Sequence, residues 1–513
     1  MAWGHAFIER LQAESVQLVF SVEVFRSALD EGVGGSVGTW TTVDAGTGSP
    51  TLLGQTAAVG SQDLTPVTWS YGAAPWSFRL ATPKAGEIEK VLRRGTLVRM
   101  RAGFRDWDYS AWEIVQSGKV QSVRRSSHSS VDVEVWDLIT SLDQRITGVF
   151  AEAFLFYDTL NASPLTADYT AGDTTITVID ATKFSRRTGG TGVVSMSPGG
   201  TLFYLAYTGS TATQLTGVSA TGQFGTTAAD LASGGNVENV AYLDQRPDQI
   251  LARVLTSTGA GTNGSYDVLP KAWGYALTAF EAVDTSDMVS TWGNALLVPS
   301  SGTYSWGMIS GLHESGISWL LSMFSAVGIW LCQRQGQITM RIVQDPNTAT
   351  VHTGLEITDD DIVDGYVDWH LSTMPAPYAG LRQTSASLVS QEASDAATTA
   401  LPVANIFDVD ASDRLRSNET AVLQLTENYL IPWLARVAEA PTMTLRGLAW
   451  ARLTVGDIVY LTSDRLRGRL LSTAEGYQRR SAMVLSVSPG WVQATTGITL
   501  GVLPVDDADE WST

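Results

Sequence analysis

Short runs of β-branched and aromatic residues, separated by stretches rich in glycine, threonine and serine, restrict the fold of this chain more than any other feature. In the run 131–136, Val131, Val133 and Val135 alternate with Asp132 and Glu134, so the valines lie on one face of a strand. Comparable runs recur at 16–26, 65–80, 97–104, 112–123, 176–179, 201–207, 328–342, 379–390, 442–448, 458–462, 482–487 and 495–503. The pattern predicts a mainly β chain with minor helices.

Helix signals are confined to a few segments. Pro247 stands at a helix start, Asp248 falls in the first turn, and Ile250, Leu251 and Val254 form an apolar stripe. Further helices are predicted at 137–144, 315–325 and 417–438. These segments connect the strands rather than dominate the fold.

The amino-acid composition changes along the chain and divides it into four regions. The 513 residues suggest about three domains by length alone. Threonine and glycine rise and charged residues become few from about residue 160 to 240. We therefore predict an N-terminal β domain at 1–160, an inserted small β module at 161–242, a helical or mixed linking domain at 243–330, and a C-terminal β domain with one long helix at 331–513.

Charge and cysteine content exclude several classes of protein. The formal net charge of −19 argues against gripping nucleic acid through phosphate neutralisation, which needs clustered basic residues. A single cysteine, Cys332, excludes an internal disulfide framework and multi-cysteine metal sites. The apolar run 317–332 is short for a membrane span and the N-terminus has no signal-peptide pattern, so we expect no stable membrane insertion.

Two glycine motifs match catalytic or cofactor patterns but have the wrong surroundings. Gly34, Ser36 and Gly38 fit a nucleophile elbow, but a glycine-rich loop precedes them where that turn needs an apolar strand. Residues 259–264 fit a dinucleotide fingerprint, but they follow a predicted helix instead of a strand. A flexible loop and a helix stop with a turn explain the two motifs better.

Candidate metal ligands and acid–base residues are likewise outweighed by structural explanations. His313 and Glu314 begin a zinc-type motif whose second histidine is missing, and the five histidines lie far apart at 5, 128, 313, 352 and 370. Asp359, Asp360, Asp361 and Asp364 do not keep the register of a calcium loop and suit a turn or helix start.

A second cluster of acidic residues lies among aromatic residues in the sequence. Asp106, Asp108 and Glu113 lie beside Trp107 and Trp112, as in carbohydrate enzymes, but an exposed acidic turn between two strands explains them better. We therefore predict no catalytic, cofactor-binding or metal-binding residue, and no enzyme activity.

Several stretches together resemble a known family of phage proteins. The segment 169–240 resembles a small β module that recurs in tail proteins of siphophages. The surrounding frame, at 94–104, 118–120, 137–138, 247–273 and 453–462, resembles the baseplate hub, or tail-tip hub, of siphophage-like tails. The resemblance rests on the sequences YTAGDTTITVIDATKF, LFYLAYTGSTATQLTGV, GTTAADLASGGNV, RGTLVRMRAGF, DQILARVLTSTGAGTNGSYDVLPKAW and LTVGDIVYLT.

The resemblance implies an architecture and a set of partners. It implies two tail-tube-like β-barrel domains, one from each half, in a homotrimer whose six barrels match a sixfold tail tube. A structural virion protein of this kind is made in the host cytoplasm and resides in the tail baseplate. It would contact the distal tail or tail tube ring, tail tip or fibre proteins and a candidate tape measure protein, and DNA only in transit during ejection.

Other interpretations stay open at the level of sequence. A distal tail ring protein belongs to the same structural class but forms a hexamer and is usually shorter. A carbohydrate-binding or receptor-binding tail protein, or a glycan-cleaving tail enzyme, would belong to different functional classes.

Overall fold

The computed structural model describes most of the chain, with gaps between the described segments. The described residues are 4–12, 18–25, 40–42, 51–52, 62–65, 69–81, 92–127, 130–142, 162–184, 191–223, 226–256, 277, 282–295, 306–310, 321, 324–325, 328–349, 353–371, 378–384, 391–393, 405–410, 430, 432–433, 438–465, 476–491 and 493–503. Among them, no helix is both long and apolar enough to cross a membrane.

Most of the elements in these segments are strands. In chain order they are α1 (His5–Leu11), β1 (Leu18–Phe25), β2 (Trp40–Thr42), β3 (Thr51–Leu52), β4 (Gln62–Thr65), β5 (Ser70–Ala73), β6 (Trp76–Ala81), β7 (Leu97–Phe104), β8 (Glu113–Ser127), β9 (Ser130–Asp137), β10 (Ala162–Pro164), β11 (Thr175–Thr177), β12 (Gly192–Met196), β13 (Phe203–Tyr207), β14 (Gly209–Ser210), β15 (Gln214–Thr216), β16 (Asn236–Gln245), α2 (Pro247–Thr256), α3 (Thr285–Ala295), β17 (Trp306–Ser310), β18 (Ile329–Arg334), β19 (Gln337–Ile342), β20 (Glu356–Ile357), β21 (Ile362–Leu371), β22 (Tyr378–Thr384), β23 (Gln391–Ala393), β24 (Asn405–Asp410), β25 (Glu439–Arg446), β26 (Ile458–Ser463), β27 (Tyr477–Gly490) and β28 (Thr495–Gly501).

The first large sheet, hereafter the N-terminal sheet, is built from the first 137 residues. Its seven strands run in the order β2-β1-β7-β8-β9-β6-β3, and each neighbouring pair is antiparallel. Val131, Val133 and Val135 are fully buried, whereas Glu134 between them is exposed, as the alternation predicts. Phe7 and Leu11 of α1 pack into the same core.

A buried ion cluster lies between β1 and β7 of the N-terminal sheet. The Arg99 guanidinium donates through Nε to the Glu23 carboxylate, and Arg101 Nε donates to the same carboxylate at 3.1 Å. The Tyr109 hydroxyl donates to Glu23 Oε1 at 3.0 Å. Burial alone would raise the pKa of Glu23, but Arg99 and then Arg101 outweigh it and hold that pKa below its ordinary value.

The second large sheet, hereafter the C-terminal sheet, combines strands from both ends of the chain. Its main path is β20-β26-β27-β28-β25-β21, and β4 and β5 extend it beside β27 to make eight strands. Its core contains Tyr477, Val484, Ile498 and Leu500, all almost fully buried. A hairpin of the first hundred residues therefore completes a sheet formed mainly by the last hundred and fifty.

A small β unit lies between the two large sheets in sequence. It contains the sheet path β10-β16-β12-β13 and the three-stranded sheet β11-β15-β14. Its own apolar core includes Tyr169, Phe184, Phe203 and Tyr207. Strand β16 continues beyond this unit to pair with β17.

The predicted fold class is confirmed, since the chain is mainly β with few helices. The helix predicted at 247–255 is present as α2, and the hairpin predicted at 328–342 is formed by β18 and β19. Of the helix predicted at 137–144, the described residues 137–142 instead form the end of β9 and a 3-10 turn, because the Asp137 carboxylate accepts from the Thr140 N–H at 2.6 Å. The helices predicted at 315–325 and 417–438 lie largely outside the described residues.

Candidate functional site: the joint between the two large sheets

A hairpin of the N-terminal half crosses to the C-terminal sheet. Strand β4 pairs with β27, with Asp63 opposite Ser486 and Gln62 opposite Val487. The Ser486 hydroxyl donates to Asp63 Oδ1 at 2.6 Å. Because backbone pairing is directional, this hairpin fixes the position of one sheet relative to the other.

Gln333 on β18 connects the two sheets through hydrogen bonds at both ends of the residue. Its side-chain Nε2 donates to the Ser117 carbonyl at 2.8 Å, and its Oε1 accepts from the Leu138 N–H at 3.3 Å. Its backbone carbonyl accepts from Gln62 Nε2 at 2.7 Å and from the Thr454 hydroxyl at 3.4 Å. We call the five residues Gln62, Ser117, Leu138, Gln333 and Thr454 the joint.

The hydrogen bonds of the joint are buried, so the loss of any one of them would lower the stability of the protein. Gln333, Leu138 and Thr454 are each only 1% exposed. The Thr454 hydroxyl also donates to Gln62 Oε1 at 2.9 Å. A buried amide left without its partners would cost about 1–3 kcal/mol for each orphaned group, so the arrangement strongly favours this one relative placement of the sheets.

A tight turn brings Gln333 to the N-terminal sheet. The β18–β19 hairpin turns at Gln335 and Gly336, both with positive φ (50° and 78°). A Cβ on Gly336 would lie 2.5 Å from Ile114 Cγ2 and 2.6 Å from Ser117 Oγ of β8. Only glycine therefore allows the turn to approach β8 this closely.

Three tryptophans pack against one another, and one of them, Trp330, lies on β18 with Gln333. The ring of Trp69 stacks on that of Trp330 at 6.1 Å and 15°, and meets that of Trp433 edge-on at 5.7 Å. The Trp433 Nε1 donates to the Gln344 carbonyl at 2.8 Å. These rings come from distant parts of the chain, and offset or edge-on aromatic pairs add stability beyond burial alone.

A partly buried tyrosine paired with a buried carboxyl group provides a further connection between the sheets. Tyr71 on β5 donates its hydroxyl to Asp137 Oδ2, at the end of β9, at 3.2 Å. Burial raises the pKa of Asp137, although its hydrogen bonds from Thr140 and Tyr71 act in the opposite direction. Burial and the neighbouring Asp137 raise the pKa of Tyr71 well above its ordinary value, so the phenol stays a hydrogen-bond donor at neutral pH.

An ion-pair network supports the hairpin that carries Gln333. Arg341 donates through Nη1 to Asp287 Oδ2 at 2.7 Å, and Arg334 donates through Nη1 to Asp287 Oδ1 at 3.1 Å. Thr339 donates its hydroxyl to Asp287 Oδ2 at 2.6 Å. Burial alone would raise the pKa of Asp287, but Arg341 outweighs it and holds the pKa below its ordinary value. This network anchors β19 to α3.

The two sheets also share apolar packing. Leu448, Ala449 and Trp491 of the C-terminal half belong to the same core as the strands of the N-terminal sheet. The rings of Phe20 and Trp491 meet edge-on at 5.7 Å. The joint is therefore part of a continuous core.

The acidic aromatic turn is placed between two strands, as its structural interpretation predicts. Residues 105–112 connect β7 to β8. Asp106 is paired with Arg10, and Glu113 Oε1 accepts from the Gly4 N–H at 2.7 Å. The Trp107 ring packs against Phe104 at 4.8 Å. These carboxylates hold α1 and the turn to the sheet.

The remaining motif residues are dispersed or lie outside the described segments. Residues 34–38, 259–264 and 313–314 are outside them. His5 is exposed and pairs with Glu9 on the same helix. Asp359 accepts from the Ser463 hydroxyl, and Asp361 Oδ2 accepts from the Thr358 N–H at 2.8 Å, so this acidic run closes a turn. In the described part of the chain, no group of three or more potential ligands could hold a metal ion.

The residues of the joint were not singled out from the sequence. Gln333 follows four apolar residues in the run Ile329–Arg334, and a polar residue that ends a buried strand is a weak signal of a required partner. Gln62 carries no such signal because it lies between Ser61 and Asp63, and Thr454 carries none because a threonine between Leu453 and Val455 is usual in a β-rich run. Their partners are more than one hundred residues away in sequence.

Comparison with known proteins yields similarities only among solved structures. No family model matches the chain, and no curated protein matches it. A prophage tail protein, gp18, from Listeria monocytogenes EGD-e is 10% identical, with 94% of each chain covered and a TM-score of 0.33. A chain in the virion of a native gene transfer agent particle is 11% identical, with 92% of this chain and 91% of that chain covered and a TM-score of 0.31.

A third similar structure is larger. A chain in the half-lidded PdpA-VgrG complex of Francisella is 8% identical, with 98% of this chain and 60% of that chain covered and a TM-score of 0.34. Because all these identities and TM-scores are low, we infer function only from the residues and contacts of this chain.

Proposed function

We propose that this chain is a structural virion protein, the hub of a phage tail baseplate, and that it performs no catalysis. It would connect the tail tube or distal tail ring to the tail tip and form part of the conduit for DNA ejection. The resemblance of residues 169–240 to a small β module of siphophage tail proteins, and of the surrounding frame to tail-tip hubs, supports this assignment. The joint is the structural observation that carries it.

The joint suits a protein whose task is mechanical. The two large sheets are connected by the β4–β5 hairpin, by the buried side chain of Gln333 and by the hydrogen bond from Tyr71 to Asp137. Breaking any of these connections would leave buried polar or aromatic groups without partners. A force applied to one sheet is therefore passed to the other, as a coupling between tube and tip requires.

The charge of the chain agrees with a conduit for DNA. The net charge of −19 gives no general attraction for phosphate groups, so DNA would pass without being retained. The proposed assembly is a homotrimer within the tail baseplate, made in the host cytoplasm. Its proposed partners are the tail tube or distal tail ring, tail tip or fibre proteins, and the tape measure protein.

The copy number in the assembled tail tests this proposal directly. Imaging of the tail tip at domain resolution is expected to place three copies of the chain between a sixfold ring and the tip. Six copies in one ring would instead identify a distal tail ring protein. Glycan binding by the isolated chain would identify a receptor-binding protein, and release of reducing sugar from host envelope would identify an enzyme.

A joint variant adds a functional test. In phage that carry Gln333→Leu, we expect tails to assemble with fewer intact tips or to eject DNA less efficiently than wild type. Gln493→Ala, an exposed glutamine in the turn before β28, serves as the matched control. Normal infectivity of the joint variant, with its destabilisation verified in the purified chain, would contradict a mechanical role for the joint.

A further inference from the structure

A small cavity lies against the joint and is lined by two arginines. It measures about 30 Å³, and its lining includes Arg334, Gln335 and Arg452 together with Gln333 of the joint. A water molecule requires about 10–15 Å³, so the cavity admits a group larger than a single water. Its lining comes from β8, the β18–β19 turn, residues 451–453 and β27, and thus from both large sheets.

Three residues of the lining each carry a buried polar atom that has no partner in the described protein. Arg334 Nε, Arg452 Nε and Gln335 Oε1 are all buried and make no hydrogen bond. Native proteins rarely leave such atoms unsatisfied, and each one calls for an explanation. Three such residues in the lining of one cavity indicate that a group absent from the protein chain binds there.

The charges of the residues that line the cavity indicate the chemical class of the missing group. Among the described residues, the lining includes two arginines and no aspartate or glutamate. Arg334 is neutralised through Nη1 by Asp287, which lies outside the lining. For Arg452, burial is the one cause of a lowered pKa, with no carboxylate of the described segments opposing it. A half-buried guanidinium without a counter-ion is unfavourable, and an anion would relieve it.

We propose that this cavity is an anion-binding site, which takes a small inorganic oxyanion of the phosphate or sulfate class between Arg334 and Arg452. The guanidinium groups of both arginines would donate to its oxygens, as they do to phosphate. The Gln335 amide would turn its NH₂ toward the anion, since its oxygen and nitrogen exchange by rotation. The bound anion would join the β18–β19 hairpin to the segment 449–452 beside the C-terminal sheet, and so stabilise the joint.

Phosphate binding to the full chain tests the site. Titration calorimetry with inorganic phosphate, at constant ionic strength set by chloride, is expected to show saturable binding to wild type. Arg452→Gln removes one charge and one Nε–H, and we expect phosphate binding at least about tenfold weaker. Arg94→Gln removes the same charge at an exposed position and is expected to bind like wild type.

Thermal unfolding gives a second readout, which does not depend on Arg452→Gln being equally stable. Without phosphate, we expect this variant to melt no lower than wild type, because its removed guanidinium has no counter-ion. With millimolar phosphate, the wild-type melting temperature is expected to rise above that of Arg452→Gln. A general stabilising effect of phosphate on folded proteins would raise the melting temperatures of wild type, Arg452→Gln and Arg94→Gln equally.

Two results would contradict the proposal that the cavity binds an anion. Equal phosphate stabilisation of wild type and Arg452→Gln would show that the cavity holds no anion, and so would the lack of saturable phosphate binding to wild type. In either case water would fill the cavity. Neither result bears on the copy number in the tail, so the proposed function would be judged separately.

Discussion

Gln333 donates its side-chain amide to the backbone carbonyl of Ser117 at 2.8 Å, although 216 residues separate the two in sequence. Ser117 lies in the middle of β8 in the N-terminal sheet, and Gln333 stands one residue before the end of β18. The bond is buried, so water cannot replace it when it is lost. Of the side-chain hydrogen bonds described above between the β18–β19 hairpin and the N-terminal sheet, it is the shortest.

The first prediction concerns this bond. Gln333→Leu keeps the volume of the side chain but leaves the Ser117 carbonyl and the Leu138 N–H without partners. We expect a loss of about 2–6 kcal/mol in the free energy of unfolding, from about 1–3 kcal/mol for each of the two buried orphaned groups. Denaturant unfolding measures it, and Gln493→Ala is the control. Equal midpoints for the two variants would show that the joint bond contributes no stability.

The second prediction concerns the close approach of Gly456 to a tryptophan. Gly456 has φ +93°, and a Cβ there would lie 2.6 Å from Trp330 Cζ2. Gly354 has a similar positive φ of +74°, and a Cβ there would meet no atom within 4 Å. Both alanine variants share the backbone strain, so the difference between them isolates the clash.

For that pair of variants, we expect Gly456→Ala to lose about 1–3 kcal/mol more stability than Gly354→Ala, because overpacking displaces a ring that is itself stacked on Trp69. Thermal unfolding of both proteins compares them directly. If both variants lost the same stability, the tryptophan cluster would be shown to tolerate the added methyl group.

The third prediction concerns the pH dependence of the Glu23 cluster. The folded-state pKa of Glu23 lies below its ordinary value of 4.5, so its contribution to stability is present above pH 4.5 and is lost as the pH falls through the folded pKa. Glu23→Gln leaves Arg99 buried without its counter-charge. We expect about 3–5 kcal/mol of destabilisation at pH 7.

The same variant should show a flatter dependence of stability on pH below 4.5 than wild type, measured by denaturant unfolding at several pH values. Glu134→Gln, at an exposed carboxylate on β9, is the matched control and should follow the wild-type curve. Parallel curves for wild type and Glu23→Gln would contradict the assigned pKa shift.

The fourth prediction concerns the thiol of Cys332, the one cysteine of the chain. Burial raises its pKa to about 11, and the side chain is fully enclosed in β18. The thiolate is the reactive form, so we expect negligible modification by a disulfide reagent at pH 8 in the native protein and one equivalent after unfolding. Rapid labelling of the native protein would show that β18 opens readily.

The period-two patterns of the sequence determined the local structure correctly. The alternation of Val131, Val133 and Val135 placed these residues on the buried face of β9, and Gln335 with Gly336 marked the turn between β18 and β19. Both signals are local, because side-chain direction in a strand and positive φ in a turn depend on immediate neighbours. A mainly β chain could therefore be predicted without knowing any long-range contact.

The tertiary structure alone decided which strands and side chains meet. Nothing near Gln62 indicates that β4 would pair with β27, and nothing near Arg452 indicates that it would share a cavity with Arg334. Hydrophobic burial favours any compact arrangement of apolar strands and is non-directional, so it leaves the choice of partner open. That choice is made by hydrogen bonds and close contacts such as those of Gln333, which exist only once distant segments have been brought together.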